Sequence, residues 1–394
     1  MDQRIARQLF IVTSVGYFTF GLLNASLGPL LEHFAENNSV TLATIGSLFT
    51  AMFTGGLLSQ LILGHFSDRW GQHRGLAGSF LFLSVFVGAA SFSHSYPLTL
   101  VLVFFAGMGY GLAVLCGNIL VSRLFEKDNI SALNWLNVFF GVGDVVGPLL
   151  VSLSLFLWDN GMPALWVGSV GMFIVTAVLF LFYFKVDLGA SKAAIEARAE
   201  KVKLTPFLVS LILMILLYVG SETALGSWTT TYLHTTTVLG MEQAALATAG
   251  FWLTLTLGRL MGALLGSRIS AINLVRICLG ISLLGAAVFV LGYGSAIWSI
   301  VAVLIMGFGF GAVFPTTFGI MTSAYREKSG KAGSIITATA SLSGMMLPWL
   351  VGVIFTQTGM RSVTFIMALL ICLLWAAFFF LTAARKRFTA SSAG

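Results

Sequence analysis

Residues 64–74 read G-H-F-S-D-R-W-G-Q-H-R. One acid (Asp68), two arginines (Arg69, Arg74) and two glycines (Gly64, Gly71) are set between two apolar runs, 41–66 and 75–93. Each run is long enough for a helix to cross a hydrocarbon core of about 30 Å, which takes about 18 residues or more. Asp68 can face the positive N-terminal end of a neighbouring helix, while the arginines can anchor to phosphates or carboxylates. The glycines permit a tight turn and close packing around it. A polar turn this short between two such runs marks a polytopic helical membrane protein.

Working outward, the same pattern repeats along the 394 residues. The first half gives spans near 8–31, 41–66, 75–93, 98–122, 132–157 and 163–184, and the second near 206–232, 243–267, 273–293, 296–322, 332–356 and 362–384. The expected fold class is therefore all-α: twelve transmembrane helices in two pseudo-symmetric six-helix bundles. The bundles cover 1–184 and 206–394, joined by a cytoplasmic linker over 185–205 whose composition suits a solvated surface helix. Only 9% of residues are charged and 58% are hydrophobic, against roughly 25% charged in soluble domains. Glycine-rich spans such as 296–322 are candidates for a break or kink.

Lysine and arginine placement sets the orientation. With the N-terminus inside, 19 of the 21 basic residues fall in cytoplasmic segments, leaving Arg361 in an outer turn and Arg259 within a helix. Both termini are expected in the cytoplasm, and the N-terminal apolar stretch, lacking a cleavage site, reads as the first span. The net charge of +7 thus belongs to one membrane face, where it meets lipid headgroups, and forms no nucleic-acid patch. Cys116, Cys278 and Cys372 lie unpaired in apolar runs and read as packing residues. The five histidines sit at span ends without zinc-ligand spacing, and nucleotide-binding glycine motifs are missing. An enzyme, a metal or a cofactor is not expected.

Corresponding positions in the two halves share glycines: G-M-G-Y-G at 107–111 and G-F-G-F-G at 307–311, Gly147-Pro148 and Gly344 with Pro348. Internal similarity of this kind accompanies transporters that bind substrate between two repeats.

The 64–74 turn resembles the loop signature of the major facilitator superfamily, G-x-L-S/A-D-R/K-x-G-R/K-R/K. Gly64, Ser67, Asp68, Arg69 and Gly71 match it, whereas Phe66, Gln72 and His73 depart and Arg74 sits one place late. The resemblance implies a conformational latch formed by Gly64, Asp68, Arg69, Gly71 and Arg74, and alternating access by rocking of the halves. Within the superfamily, Y-V-G-S-E-T-A-L-G-S-W-T-T-T-Y (218–232) and N-V-F-F-G-V-G-D-V-V-G-P (137–148) resemble the fucose–galactose–glucose proton-symporter branch, and G-R-L-M-G (258–262) and F-P-T (314–316) fit it. That branch often places acids in its first and fourth helices; here Asn24 and Asn118 stand in those helices instead.

Charge inside a membrane is expensive, so three residues are functional candidates by default. Asp144, about 18 Å into the fifth span, shares a face with Asn137. It reads either as a carboxylate that takes up and releases a proton or as a fixed hydrogen-bonding group. Glu222 follows Tyr218 by four residues, with Trp228 beyond. An aromatic beside a carboxylate suits a sugar, whose C–H faces stack and whose hydroxyls donate; bonding to backbone loosened by Gly220 and Gly226 is the alternative. Arg259 either pairs with Asp144, since the fold of the family sets the fifth and eighth helices side by side, or snorkels to the surface. Tyr17, Asn24 and Asn118 complete the uncharged substrate candidates, and Gln60 reads as a packing group.

The expected function is proton-coupled uptake of a sugar or similar small polar solute by a monomer in a bacterial cytoplasmic membrane. Efflux of amphipathic compounds or movement of lipid is the alternative, suited by 34 phenylalanines and 14 methionines.

Overall fold

The computed structural model describes residues 3–183 and 202–391, and for 32, 42–43, 64–70, 241–242 and 389–391 the backbone alone. The packing around Gly64, the side chains of Asp68 and Arg69, and most of the 185–205 linker lie outside the described residues. Every regular element among those described is helical. Twelve long helices follow one another: α1 (Gln3–Ser26), α2 (Ser47–Trp70), α3 (Gln72–Ala90), α4 (Tyr96–Leu124), α5 (Asn129–Trp158) and α6 (Pro163–Tyr183). The second set is α7 (Pro206–Thr236), α8 (Met241–Leu265), α9 (Ala271–Leu291), α10 (Ala296–Ala324), α11 (Ser329–Thr358) and α12 (Arg361–Ser391). Two short helices, Leu31–Asn37 and Leu42–Ile45, link α1 to α2. Eleven of the twelve are long and apolar enough to span a bilayer, and α2 carries the apolar stretch Ser47–Leu63. Each expected span overlaps one of them, so the protein is an integral, multi-pass membrane protein built of two six-helix bundles.

Local chemistry starts these helices where they start. Thr205, Ser270 and Ser295 accept from the backbone N–H three residues on, capping α7, α9 and α10. Proline occupies the first turn of α4, α6 and α7, where its missing N–H is no loss. Between α2 and α3 the chain reverses on Gly71 at φ +93°, a conformation that L side chains rarely adopt. A Cβ there would also lie 3.1 Å from the His73 ring. Gly71→Ala is therefore expected to destabilise the protein by about 1–2 kcal/mol, read as a lower thermal unfolding midpoint in detergent. An unchanged midpoint would show that the turn relaxes freely.

The helices sort into two compact units. The first comprises Met1–Asn129, Phe139–Val202 and Tyr325–Ser341; the second comprises Ile130–Val138, Lys203–Ala324 and Leu342–Gly394. Thus α5 and α11 each contribute one stretch to either unit.

The paired glycine triads explain how each unit packs. In the first, the outer glycines of 107–111 press on α2: Cβ atoms on Gly107 and Gly111 would strike the carbonyls of Met52 and Gly56. The middle one, Gly109, presses on α3, 2.7 Å from the Ser79 carbonyl by the same test. In the second unit Gly307 and Gly311 press in the same way on the Phe251 and Leu255 carbonyls of α8, and Gly309 on Cys278 and Ser282 of α9. Three helices meet at backbone distance in both halves because three alternating glycines let them. The expected break in α10 occurs at Gly311–Ala312, between the segments Ala296–Phe310 and Val313–Ala324. Pro315 falls in the first turn after it, where no N–H is needed.

Candidate functional site

In the first unit the polar candidates on α1, α4 and α5 form two adjoining groups. Tyr17 on α1 donates its hydroxyl to the Ala113 carbonyl of α4 at 2.9 Å and accepts from Asn118 Nδ2 at 3.2 Å. Asn118 also donates to the Val114 carbonyl, 2.7 Å away. Seven residues along α1, Asn24 Nδ2 donates to Asp144 Oδ1 on α5 at 3.0 Å. Aromatic rings fill the space around these contacts: Phe20 lies edge-on to Tyr17, Tyr110 and Phe140, with centroids 4.9–5.8 Å apart. Asn24 also borders a small cavity, about 20 Å³, whose other walls include Phe20, Met52, Leu83, Val103 and Tyr110. Such a space admits about one water molecule. Gln60 on α2 has the packing role expected of it: its Nε2 donates to Gly111 O at 3.2 Å and its Oε1 accepts from Ser341 at 3.0 Å.

The second unit holds a buried charge pair. Arg259 Nη2 on α8 lies 3.5 Å from Glu222 Oε1 on α7, and both side chains are about nine-tenths buried. Arg259 Nη1 also reaches the Asn137 carbonyl of α5 at 3.4 Å. Tyr218, fully buried one turn before Glu222, sets its hydroxyl beside that carboxylate without completing a hydrogen bond, and its ring edge meets Phe310. A pair of opposite charges with a spare hydroxyl can accept and donate to several hydroxyl groups at once. Trp228 is seated elsewhere. Its Nε1 donates to the Pro348 carbonyl at 2.8 Å, its ring stands edge-on to Phe355, and Gly352 leaves room for it.

The structure therefore joins Tyr17 with Asn118, Asn24 with Asp144, and Glu222 with Arg259 and Tyr218. Asn137 offers its carbonyl to Arg259, while its side chain donates to the Leu133 carbonyl one turn back. Sequence reasoning passed over Asn134, which donates to Thr316 of α10 at 3.3 Å and is fully buried. Its signal was present as a second amide three residues before Asn137, on the same helical face.

The sequence profile of the Major Facilitator Superfamily matches residues 13–348 and again 244–393. The chain belongs to the major facilitator superfamily. It is a transporter and not an enzyme. Among curated proteins it is similar to the mouse sodium-dependent glucose transporter 1A, 22% identical over 374 residues that cover 86% of this chain and 87% of that one. Among solved structures it shares its fold with FucP in the outward conformation (TM-score 0.77, 18% identity), over 95% of this chain and 98% of that one. It is likewise similar to the proton:xylose symporter XylE, with a TM-score of 0.80 and 12% identity over 97% and 96% of the two chains.

Proposed function

We propose that the protein takes up a sugar or a similar small polyhydroxylated solute together with protons, by alternating access. The observation that carries this reading is the Glu222–Arg259 pair with the Tyr218 hydroxyl beside it, buried inside a membrane bundle. Charges are kept at such depth for work with substrate or ions, because elsewhere they would only be costly. A carboxylate held by an arginine can exchange that partner for a proton, and the exchange alters which groups face the solute. Asp144, held by the Asn24 amide, is the second carboxylate in this scheme, and Tyr17, Asn118 and Asn137 are its further polar candidates. The relatives' sugars, and the proton coupling named for XylE, point the same way. The turn at 64–74 serves as the conformational latch. The transporter acts as a monomer in a bacterial cytoplasmic membrane with both termini inside.

Reconstituted liposomes test this directly. With an inward proton gradient, labelled hexoses, pentoses and deoxyhexoses are offered singly, and accumulation above the external concentration is expected for at least one. Equal filling with and without the gradient would remove proton coupling. No sugar uptake, with extrusion of an amphipathic dye instead, would replace uptake with efflux.

A further inference from the structure

Two arginines of the second unit sit on aromatic rings at opposite ends of the same helix pair, α9 and α12. Arg276 of α9 holds its guanidinium carbon 6.0 Å from the centroid of the Phe378 ring of α12. Arg361, the first residue of α12, lies 5.4 Å from the Tyr293 ring, just past the end of α9, and 5.9 Å from the Phe365 ring. At such distances a ring face attracts a cation. Among the described residues neither guanidinium has a carboxylate within 4.0 Å. Arg276 donates to the neutral Asn273 side chain at 2.9 Å, and both arginines are exposed.

One antiparallel register joins these contacts. Between them Trp375 Nε1 of α12 donates to the Leu279 carbonyl of α9 at 3.1 Å. Three residues forward on α9, from Arg276 to Leu279, answer to three back on α12, from Phe378 to Trp375. Seventeen forward, to Tyr293, answer to seventeen back, to Arg361. Seventeen residues of helix rise about 26 Å. Side chains lean toward the N-terminus of their own helix, and each arginine is near the start of its helix, so both lean away from the midplane. The guanidiniums thus bracket a slab close to the hydrocarbon thickness of about 30 Å. At the first residue of α12 a cation also opposes the helix dipole, so Arg361 is not placed there for the helix's sake. Between the two levels the pair turns apolar side chains outward, Leu283 and Leu291 on α9 and Phe365 and Leu369 on α12. At Gly280 nothing stands within 4 Å of a Cβ, which leaves that surface low.

We propose that Arg276 and Arg361 each bind the phosphate of an anionic phospholipid, one in each leaflet, with the acyl chains laid along the exposed α9–α12 surface. A planar guanidinium meets a phosphate with two parallel hydrogen bonds, and the ring beneath it holds it toward the headgroup layer. An anionic headgroup is favoured over a zwitterionic one because it brings no cation of its own to compete. The surface shares no residue with the Glu222–Arg259 pair, and its occupant does not depend on what is transported.

The full chain, purified in detergent and stripped of lipid, is titrated with phosphatidylglycerol or phosphatidylcholine and followed by thermal unfolding and native mass spectrometry. Phosphatidylglycerol is expected to raise the midpoint by about 2–4 °C more than phosphatidylcholine does. Arg276→Gln and Arg361→Gln should each lose about half of that difference, and the double variant nearly all of it. In the mass spectra each substitution should remove one tightly retained phosphatidylglycerol. Arg268→Gln, in the turn before α9 and over no ring, should leave both readings unchanged. A double variant that keeps the parent's difference would overturn the proposal. So would an equal loss in Arg268→Gln, which would reduce the effect to net charge. Inorganic phosphate at matching concentration should not move the midpoint; the same rise from it would assign the arginines to a soluble anion and overturn the lipid.

Discussion

Glu222→Gln is expected to end accumulation of solute above its external concentration, leaving at most equilibration. The argument is about what remains behind. Arg259 is as buried as its partner, and breaking a buried pair by removing one member costs about 3–5 kcal/mol. That is large beside the difference between conformations that a transporter must interconvert, so the cycle stalls in whichever state best solvates the arginine. Replacing both members, Glu222→Gln with Arg259→Met, removes both charges of the pair. Stability should then return toward the parent while accumulation stays lost. Uptake under a proton gradient, measured beside thermal unfolding, separates the two effects. Full accumulation in Glu222→Gln would take this carboxylate out of coupling altogether.

The second large effect concerns packing. Gly111→Val and Gly311→Val are each expected to destabilise the protein by about 3 kcal/mol, because the added atoms meet backbone, which cannot swing aside. On Gly111 a Cβ would lie 2.7 Å from the Gly56 Cα, and on Gly311 it would lie 2.6 Å from the Arg259 nitrogen. Overpacking against backbone can be relieved only by separating the helices. Gly78 and Gly280 have nothing within 4 Å of a Cβ, so Ala at either is expected to be neutral or mildly stabilising. If the two triads are true counterparts, the two valine variants should lose comparable stability. Yield and unfolding midpoint in a common detergent measure this. A Gly311→Val variant as stable as the parent would mean that the α8–α10 contact is not close-packed.

The twelve spans, the glycine triads and the weak point of α10 were all legible because each depends on order along the chain. Hydropathy is a property of segments, and the triads repeat at a fixed offset. Depth within the membrane was legible for the same reason, and it singled out Asp144, Glu222 and Arg259. Azimuth was not. Which charge meets which depends on how helices turn toward one another, and that turn is what brings Glu222 to Arg259. The geometry explains that partner. Side chains lean toward the N-terminus of their helix, and α7 and α8 run in opposite directions, so Glu222 and Arg259 lean toward each other across a difference in level. Trp228 shows the same limit. The carbonyl that its indole N–H meets, that of Pro348, lies 120 residues away in the chain, beyond any local pattern.

The divided membership of α5 and α11 bears on how the protein is made. Ile130–Val138 is in place before the second unit is synthesised, but Tyr325–Ser341, which belongs to the first unit, is among the last stretches to leave the ribosome. At 5–20 residues per second, the first unit waits on the order of ten seconds after its own six helices have emerged before that stretch follows them. During that interval the glycine-bearing faces of α2 and α4 are already matched, while Gln60 still lacks Ser341. Insertion of the amino-terminal bundle is therefore an early event and its completion a late one, so truncation before residue 341 leaves an unfinished bundle.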